Sequence, residues 1–164
     1  MGTPAILVNN AAHWEASNYR TINASILDAH IDVNVRATIL LSAEFVRRRE
    51  GLGFGRVISL VSGNDHGGEV DNLAYGASKG AVSAMTRYLA LEAAPLGITV
   101  NALDPGPTDT GWMDTVLQRE ILAASPMGRI GQPEDAARLV GFLASEESGW
   151  VTGQVIRSDG GFPG

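Results

Sequence analysis

The sequence predicts an α/β domain, an open sheet of parallel strands covered by helices. Short segments that are apolar on consecutive residues alternate with longer segments of helical period, the order expected of strand–helix–strand units. The breaks after the apolar segments hold the chain's unusual polar, glycine and proline residues, at Asn9-Asn10, at Ser62 and from Asp104 to Thr110. Open sheets of this kind take their ligands at the carboxyl ends of the strands, so one site is expected there.

Residues 5–8 read as a buried strand, apolar throughout and closed by Asn9-Asn10. A helical pattern runs over 25–49 and ends in Arg47-Arg48-Arg49, then Gly51 and Gly53; basic residues followed by glycine are an ordinary helix stop. Residues 56–62 form a second strand and 63–72 a loop rich in glycine and asparagine. A helix over 73–94 is stopped by Pro95 and Gly97, and a third strand over 98–103 is broken by Asp104-Pro-Gly-Pro107. A lid-like helical segment is expected over 110–124, a helix with Pro133 in its first turn over 133–145, and a last short strand over 154–157. Gly51-Leu-Gly-Phe-Gly55 follows a helix and precedes a strand, the wrong order for a phosphate cradle, and reads as a loop.

A chain of 164 residues suffices for one domain with a core, and 45% apolar with 18% charged residues is a globular composition. The absence of cysteine excludes disulfides, thiol chemistry and zinc–thiolate sites. A net charge of -6 argues against nucleic acid or an anionic membrane as the main partner, since both need a basic face. No apolar run approaches the roughly 20 residues of a membrane span, and the first residues lack the basic start of a signal peptide. A soluble, cytoplasmic protein is expected, in which the sequon-like Asn23-Ala-Ser25 is a chance match. His13, His30 and His66 have no ligand spacing with carboxylates, so no metal site is expected.

The strongest local signal is Tyr75-Gly-Ala-Ser-Lys79, because residues four apart on a helix share a face. A neighbouring ammonium favours phenolate over phenol and lowers a tyrosine pKa from about 10. Such a phenol can exchange a proton with a carbinol or carbonyl near neutral pH. A packed tyrosine beside a solvated lysine is the plain alternative. Ser62 ends a strand 13 positions earlier, where its hydroxyl can either bond a substrate oxygen or cap a turn. Asn34 lies mid-helix, where asparagine tends to bond backbone groups, holding a kink or a water.

Together these motifs resemble the short-chain dehydrogenase/reductase family, most closely its 3-oxoacyl-[acyl-carrier-protein]-reductase-like branch. Asn9-Asn-Ala-Ala12 resembles the family's Asn-Asn-Ala-Gly segment, Asn34 in Asp32-Val-Asn-Val35 its asparagine, Ser62 its serine, and Tyr75 with Lys79 its Tyr-x-x-x-Lys pair. Asp104-Pro-Gly-Pro-Thr-Asp-Thr110 resembles its nicotinamide-contacting segment, and Val151-Thr-Gly-Gln154 with Asp159-Gly-Gly161 its C-terminal strand region. The resemblance spans the chain and implies a Rossmann-like, doubly wound parallel sheet. It implies an NAD- or NADP-dependent oxidoreductase that interconverts a secondary alcohol and a ketone, a 3-oxoacyl thioester among the possible substrates. Tyr75 is then the general acid/base. Lys79 lowers its pKa and bonds the nicotinamide ribose, Ser62 holds the substrate oxygen, and Asn34 anchors a relay water. Asn10, Ala11 and Ala12 line the adenosine-ribose side, and Pro105, Gly106, Thr108 and Thr110 the carboxamide. A homodimer or homotetramer acting on a small carbonyl or alcohol is implied as well.

Two departures qualify the match. Ala12 stands where the family has glycine, and no Gly-rich turn of a first βα unit is present, nor the acidic residue that reads a ribose 2′-hydroxyl. The chain reads as the C-terminal, catalytic half of the domain, a single partial domain over 1–164, with the strand at 5–8 expected as a bare apolar edge open to pairing. A start placed downstream or a truncation accounts for this, or a second chain covers the edge; the competing functional reading is a non-catalytic remnant that only folds and oligomerises. On the helix after Tyr75, Val82, Met85 and Leu89 form one stripe and Ala77, Ala81 and Ala84 another, the first for the sheet and the second for a partner copy. Trp14, His66, Trp112 and Met113 are candidate walls of a substrate pocket or plain filler.

Overall fold

A computed structural model describes residues 2–63 and 68–163. Four parallel strands make one sheet in the order β1-β2-β3-β4, with β1 at Ile6–Asn9, β2 at Gly55–Leu60, β3 at Ile98–Asp104 and β4 at Val155–Arg157. Register sets Asn9 beside Ser59, Leu60 beside Leu103 and Asp104 beside Arg157, so the strands' carboxyl ends lie together along one rim.

Between strands run α1 (Ala24–His30), α2 (Thr38–Arg49), α3 (Leu73–Ala93), α4 (Thr115–Ala124) and α5 (Pro133–Ala144). The helix expected over 25–49 is interrupted: α1 passes through a π-helical segment, Ile31–Ala37, into α2. Asn23 caps α1, its side chain accepting from the Ile26 N–H at 3.1 Å. The helix expected over 110–124 begins only at Thr115. Asp114 there accepts from the N–H groups of Val116 and Leu117, satisfying donors that a helix start leaves open.

Strand alternation sorts the core. Val57, Ile98 and Val100 meet Phe45 of α2 and Ala90 and Ala93 of α3, while Ala102 and Val61 meet Val82 farther along α3. All of these are nearly or fully buried. Residues of opposite parity point to the other face, which α5 covers at β2 and β3. There the Arg56 guanidinium donates to the Ser145 carbonyl at 3.1 Å, and the Asn101 amide bridges the Val151 carbonyl and the Gln154 N–H. At the edge strand β1, Leu7 packs into the core, whereas Ile6 and Val8 are 44% and 40% exposed. Among the described residues β1 pairs with β2 alone. Gly51 and Gly53 have left-handed φ outside any helix or strand and Gly55 opens β2, in keeping with the loop reading of that cluster.

Candidate active site

The rim formed by the strand ends receives the N-terminal half of α3. This end of the helix is tied down by Ser17, whose N–H donates to the Asp71 carbonyl at 2.7 Å. Its carbonyl and hydroxyl accept from the N–H groups of Leu73 and Ala74.

Lys79 is 5% exposed, and its Nζ donates to the Leu60 carbonyl at 2.7 Å, at the end of β2. Burial lowers its pKa to about 8. An ammonium has three donors, so two remain for other acceptors at the rim. Nζ lies 5.7 Å from the centre of the Tyr75 ring. The Tyr75 phenol is pushed above its usual pKa by burial first, then by the charges of Glu69 and Asp104. The lowering expected from Lys79 is thus not what this structure shows: the lysine spends a proton on a strand carbonyl, and burial dominates at the phenol. Ser62 is half-buried two residues beyond β2, on the same strand end that Lys79 reaches.

Asn34 sits in the π-helical segment, 1% exposed. Its Oδ1 accepts from the His13 N–H at 2.7 Å, while its Nδ2 donates to the His13 carbonyl and the Ser78 hydroxyl, both at 2.9 Å. Ser78 in turn donates to the Tyr75 carbonyl at 2.7 Å. Asn34 therefore clasps the loop after β1 to the turn of α3 that carries Tyr75. π-turns recur at functional sites because they re-aim side chains.

His30 is fully buried one turn before Asn34. Its Nδ1 faces the Ile26 carbonyl at 2.7 Å and its Nε2 accepts from the Glu15 N–H at 3.2 Å, which assigns the proton to Nδ1. The ring meets those of His13 and Tyr75 edge-on, at 4.7 Å and 6.5 Å between centres. Sequence reading assigned no part to Ser17, His30 or Ser78. Ser78 lies within the Tyr-x-x-x-Lys motif and Ser17 carries no motif at all, so only His30, a histidine on the apolar side of a helix, gave a signal.

Asn10, Ala11 and Ala12 are exposed just beyond β1. Pro105, Gly106 and Thr108 are half-buried and Thr110 is exposed; the Thr108 hydroxyl donates to the Pro105 carbonyl at 3.1 Å, folding the segment on itself. Trp14 and Trp112 are 60% and 63% exposed and fixed through their indole N–H groups, to Asn72 and to the Thr108 carbonyl. Met113 is buried, and His66 lies outside the described residues.

The sequence matches the family described as enoyl-(acyl carrier protein) reductase over residues 1–163. It is 52% identical over 164 residues to an uncharacterised oxidoreductase of Bacillus subtilis, YjdA, spanning 99% of this chain and 65% of that protein's length. An acetoacetyl-CoA reductase of Rhizobium meliloti is 33% identical over 165 residues, 98% of this chain and 68% of the relative. Among solved structures, a landomycin C-6 ketoreductase, LanV, holding NADP and rabelomycin superposes with a TM-score of 0.85 at 30% identity, covering 97% of this chain and 61% of that one.

Proposed function

We propose that this chain, which belongs to the short-chain dehydrogenase/reductase family, is the acid/base-bearing part of an NAD(P)-dependent enzyme interconverting a ketone and a secondary alcohol. The observation that carries the reading is the Lys79 ammonium on the Leu60 carbonyl, two residues before Ser62, with Tyr75 one turn earlier on the same helix and Asn34 bound to that turn through Ser78. The residues fit the nicotinamide half of a dinucleotide. Asn10, Ala11 and Ala12 follow the end of β1, and the turn at Pro105, Gly106, Thr108 and Thr110 follows the end of β3, on the rim where β2 holds the lysine, whose spare donors suit a ribose hydroxyl. NAD or NADP, when bound, supplies the hydride.

The protein's own part is proton handling and orientation. Ser62 donates to the substrate oxygen and holds it against the phenol. Tyr75, kept protonated by its burial, gives that oxygen its proton in the reductive direction and takes it back in oxidation. Lys79, with a proton held only up to about pH 8, is poised to pass one on near neutrality. Asn34 fixes the loop and helix so that a relay water has a constant seat. A 3-oxoacyl thioester is supported as substrate by the acetoacetyl-CoA reductase relative. Trp14 and Trp112 suit the walls of the pocket that receives it. The exposed Ala77 and Ala84, beside Tyr88 and Leu91 at 74% and 77% exposure, suit a homodimer or homotetramer contact. No helix among the described residues is long and apolar enough to cross a membrane, and we place the enzyme in the cytoplasm.

The test is oxidation of NADPH and NADH by the protein with 3-oxoacyl thioesters and aryl ketones, for wild type and Tyr75→Phe. The variant is expected to lose at least about 100-fold in turnover while its cofactor affinity stays within about twofold, the scale of one general acid. Turnover of Tyr75→Phe at the wild-type rate overturns the assignment.

A further inference from the structure

His30 is a fully buried histidine for which the proton handling above has no use. Among the described residues no cluster of metal-ligating side chains includes it. It closes α1, immediately before the π-helical segment, and reaches two other parts of the site. The first is the loop after β1: Nε2 accepts from the Glu15 N–H at 3.2 Å, and four residues on, Asn34 holds the N–H and carbonyl of His13. The second is α3, which packs against α1 and brings the Tyr75 ring to 6.5 Å between centres, at 72°.

A phenol ring turns about a broad final torsion, so what it meets sets its plane. Among the described residues Tyr75 meets one other ring, that of His30, and on its own helix the Lys79 ammonium, 5.7 Å from its centre. The two neighbours differ in stiffness. The ammonium ends a long chain, whereas both nitrogens of His30 are bonded to backbone, Nδ1 to the Ile26 carbonyl at 2.7 Å and Nε2 to the Glu15 N–H. Bonds at both nitrogens hold the imidazole plane against rotation. A steep edge contact at 6.5 Å falls within the span of about 4.5–7 Å over which aromatic rings attract. The His13 ring adds a second such contact to His30 at 4.7 Å, and its own Nε2 stands 3.8 Å from the Glu15 carboxylate. One form of the imidazole serves this arrangement, with the proton on Nδ1; a proton on Nε2 would set a donor against the Glu15 N–H.

We propose that His30 is a positioning residue for the acid/base centre: locked by its two backbone bonds, its ring is the abutment that sets the plane of the Tyr75 ring and joins the loop after β1 to it. The role rests on the reading of Tyr75 as the acid/base.

The test begins with nuclear magnetic resonance of the wild-type chain at pH 8. His30 is expected to carry its proton on Nδ1 and to show a through-space contact with the Tyr75 ring protons. Two variants then separate the halves of the role. His30→Gln offers an acceptor to the Glu15 N–H without a ring, and His30→Phe offers a ring without an acceptor. The Tyr75 ring signals, identified against those of Tyr19 and Tyr88 by Tyr75→Phe, are expected to move in His30→Gln while the other two stay. Exchange of the Glu15 amide is expected to quicken at least about tenfold in His30→Phe and to stay slow in His30→Gln, the scale of one lost hydrogen bond. With NADPH or NADH and a ketone, both variants are expected to lose about tenfold in kcat with the ketone KM within about twofold, as for a small misplacement of a reacting group. A proton on Nε2, Tyr75 signals unmoved in His30→Gln, or wild-type kcat in both variants overturns the proposal. If the variants do not fold, the wild-type tautomer and ring contact decide; if the chain turns over no ketone, the spectra decide. Full activity of Tyr75→Phe removes the acid/base reading and leaves the ring contact standing, whereas unmoved spectra with an inactive Tyr75→Phe remove only the role of His30.

Discussion

Gly106→Ala is the substitution whose consequence follows most directly from geometry. Gly106 has φ +58°, and a Cβ there would lie 2.4 Å from the Cβ of Asp159 and 3.1 Å from its Cα. Two penalties add. A non-glycine residue in the left-handed region costs about 1 kcal/mol. Pressing a methyl into a packed neighbour costs about 1–3 kcal/mol more, and here the obstacle includes backbone, which cannot swing aside. Gly53→Ala isolates the first penalty, because Gly53 has φ +74° with nothing within 4 Å of the added atom. Urea unfolding followed by circular dichroism should place Gly106→Ala about 1–3 kcal/mol below Gly53→Ala, or roughly 5 °C lower in Tm for a chain of this length. Equal stability of the two variants would refute the packing of the Pro-Gly turn against the C-terminal turn, and with it the linkage of β3 to β4 described above.

Other perturbations test the remaining joints. The folded chain releases the Lys79 proton near pH 8, whereas the unfolded chain holds it to its ordinary value of 10.5. The unfolded state therefore binds more protons across that window, and stability from this group rises with pH between about 8 and 10.5. Lys79→Met should remove that rise from unfolding curves compared at pH 8 and pH 10; a wild-type-like slope would show that the lysine is not desolvated. Asn34→Ala leaves the His13 N–H and carbonyl without their partner and should cost about 3 kcal/mol, against about 1 kcal/mol for Ser78→Ala, which keeps the two bonds to His13 and loses only the tie to α3. Equal losses in denaturant titrations would count against Asn34 as the clasp.

The sheet was legible because its strands are short, largely apolar segments that end in polar breaks. Residues 98–103 are buried on both faces, so their hydrophobicity signals a strand without knowledge of what covers it. The site was legible in part for the same reason: Tyr75 and Lys79 share a helix face whatever else is true. Three things lay beyond sequence reading. The sense of the phenol's shift depends on burial and on carboxylates brought from 69 and 104, positions that local spacing cannot relate to 75. The π-helical segment is marked only by Asn34, read as holding a kink or a water; nothing in Ile31 to Ala37 names the form the kink takes. The start of α4 was placed too early because Gly111 and Trp112 precede a capping Asp114 that governs the true first turn.

The π-helical segment also constrains how the chain can change in length. A π-turn closes i→i+5 bonds and so accommodates one residue more than an α-turn; it is the form an inserted residue takes once a helix has absorbed it. Removing one residue between Ile31 and Ala37 would let 24–49 run on as a regular helix. It would also rotate α1 against α2 by about 100°, carrying His30 away from Glu15 and from the Tyr75 ring. Point substitutions on the exposed side of this segment, at Asp32 or Arg36, leave that phase untouched. Deletions do not, and there the register of the helix, more than the identity of its residues, keeps the site assembled.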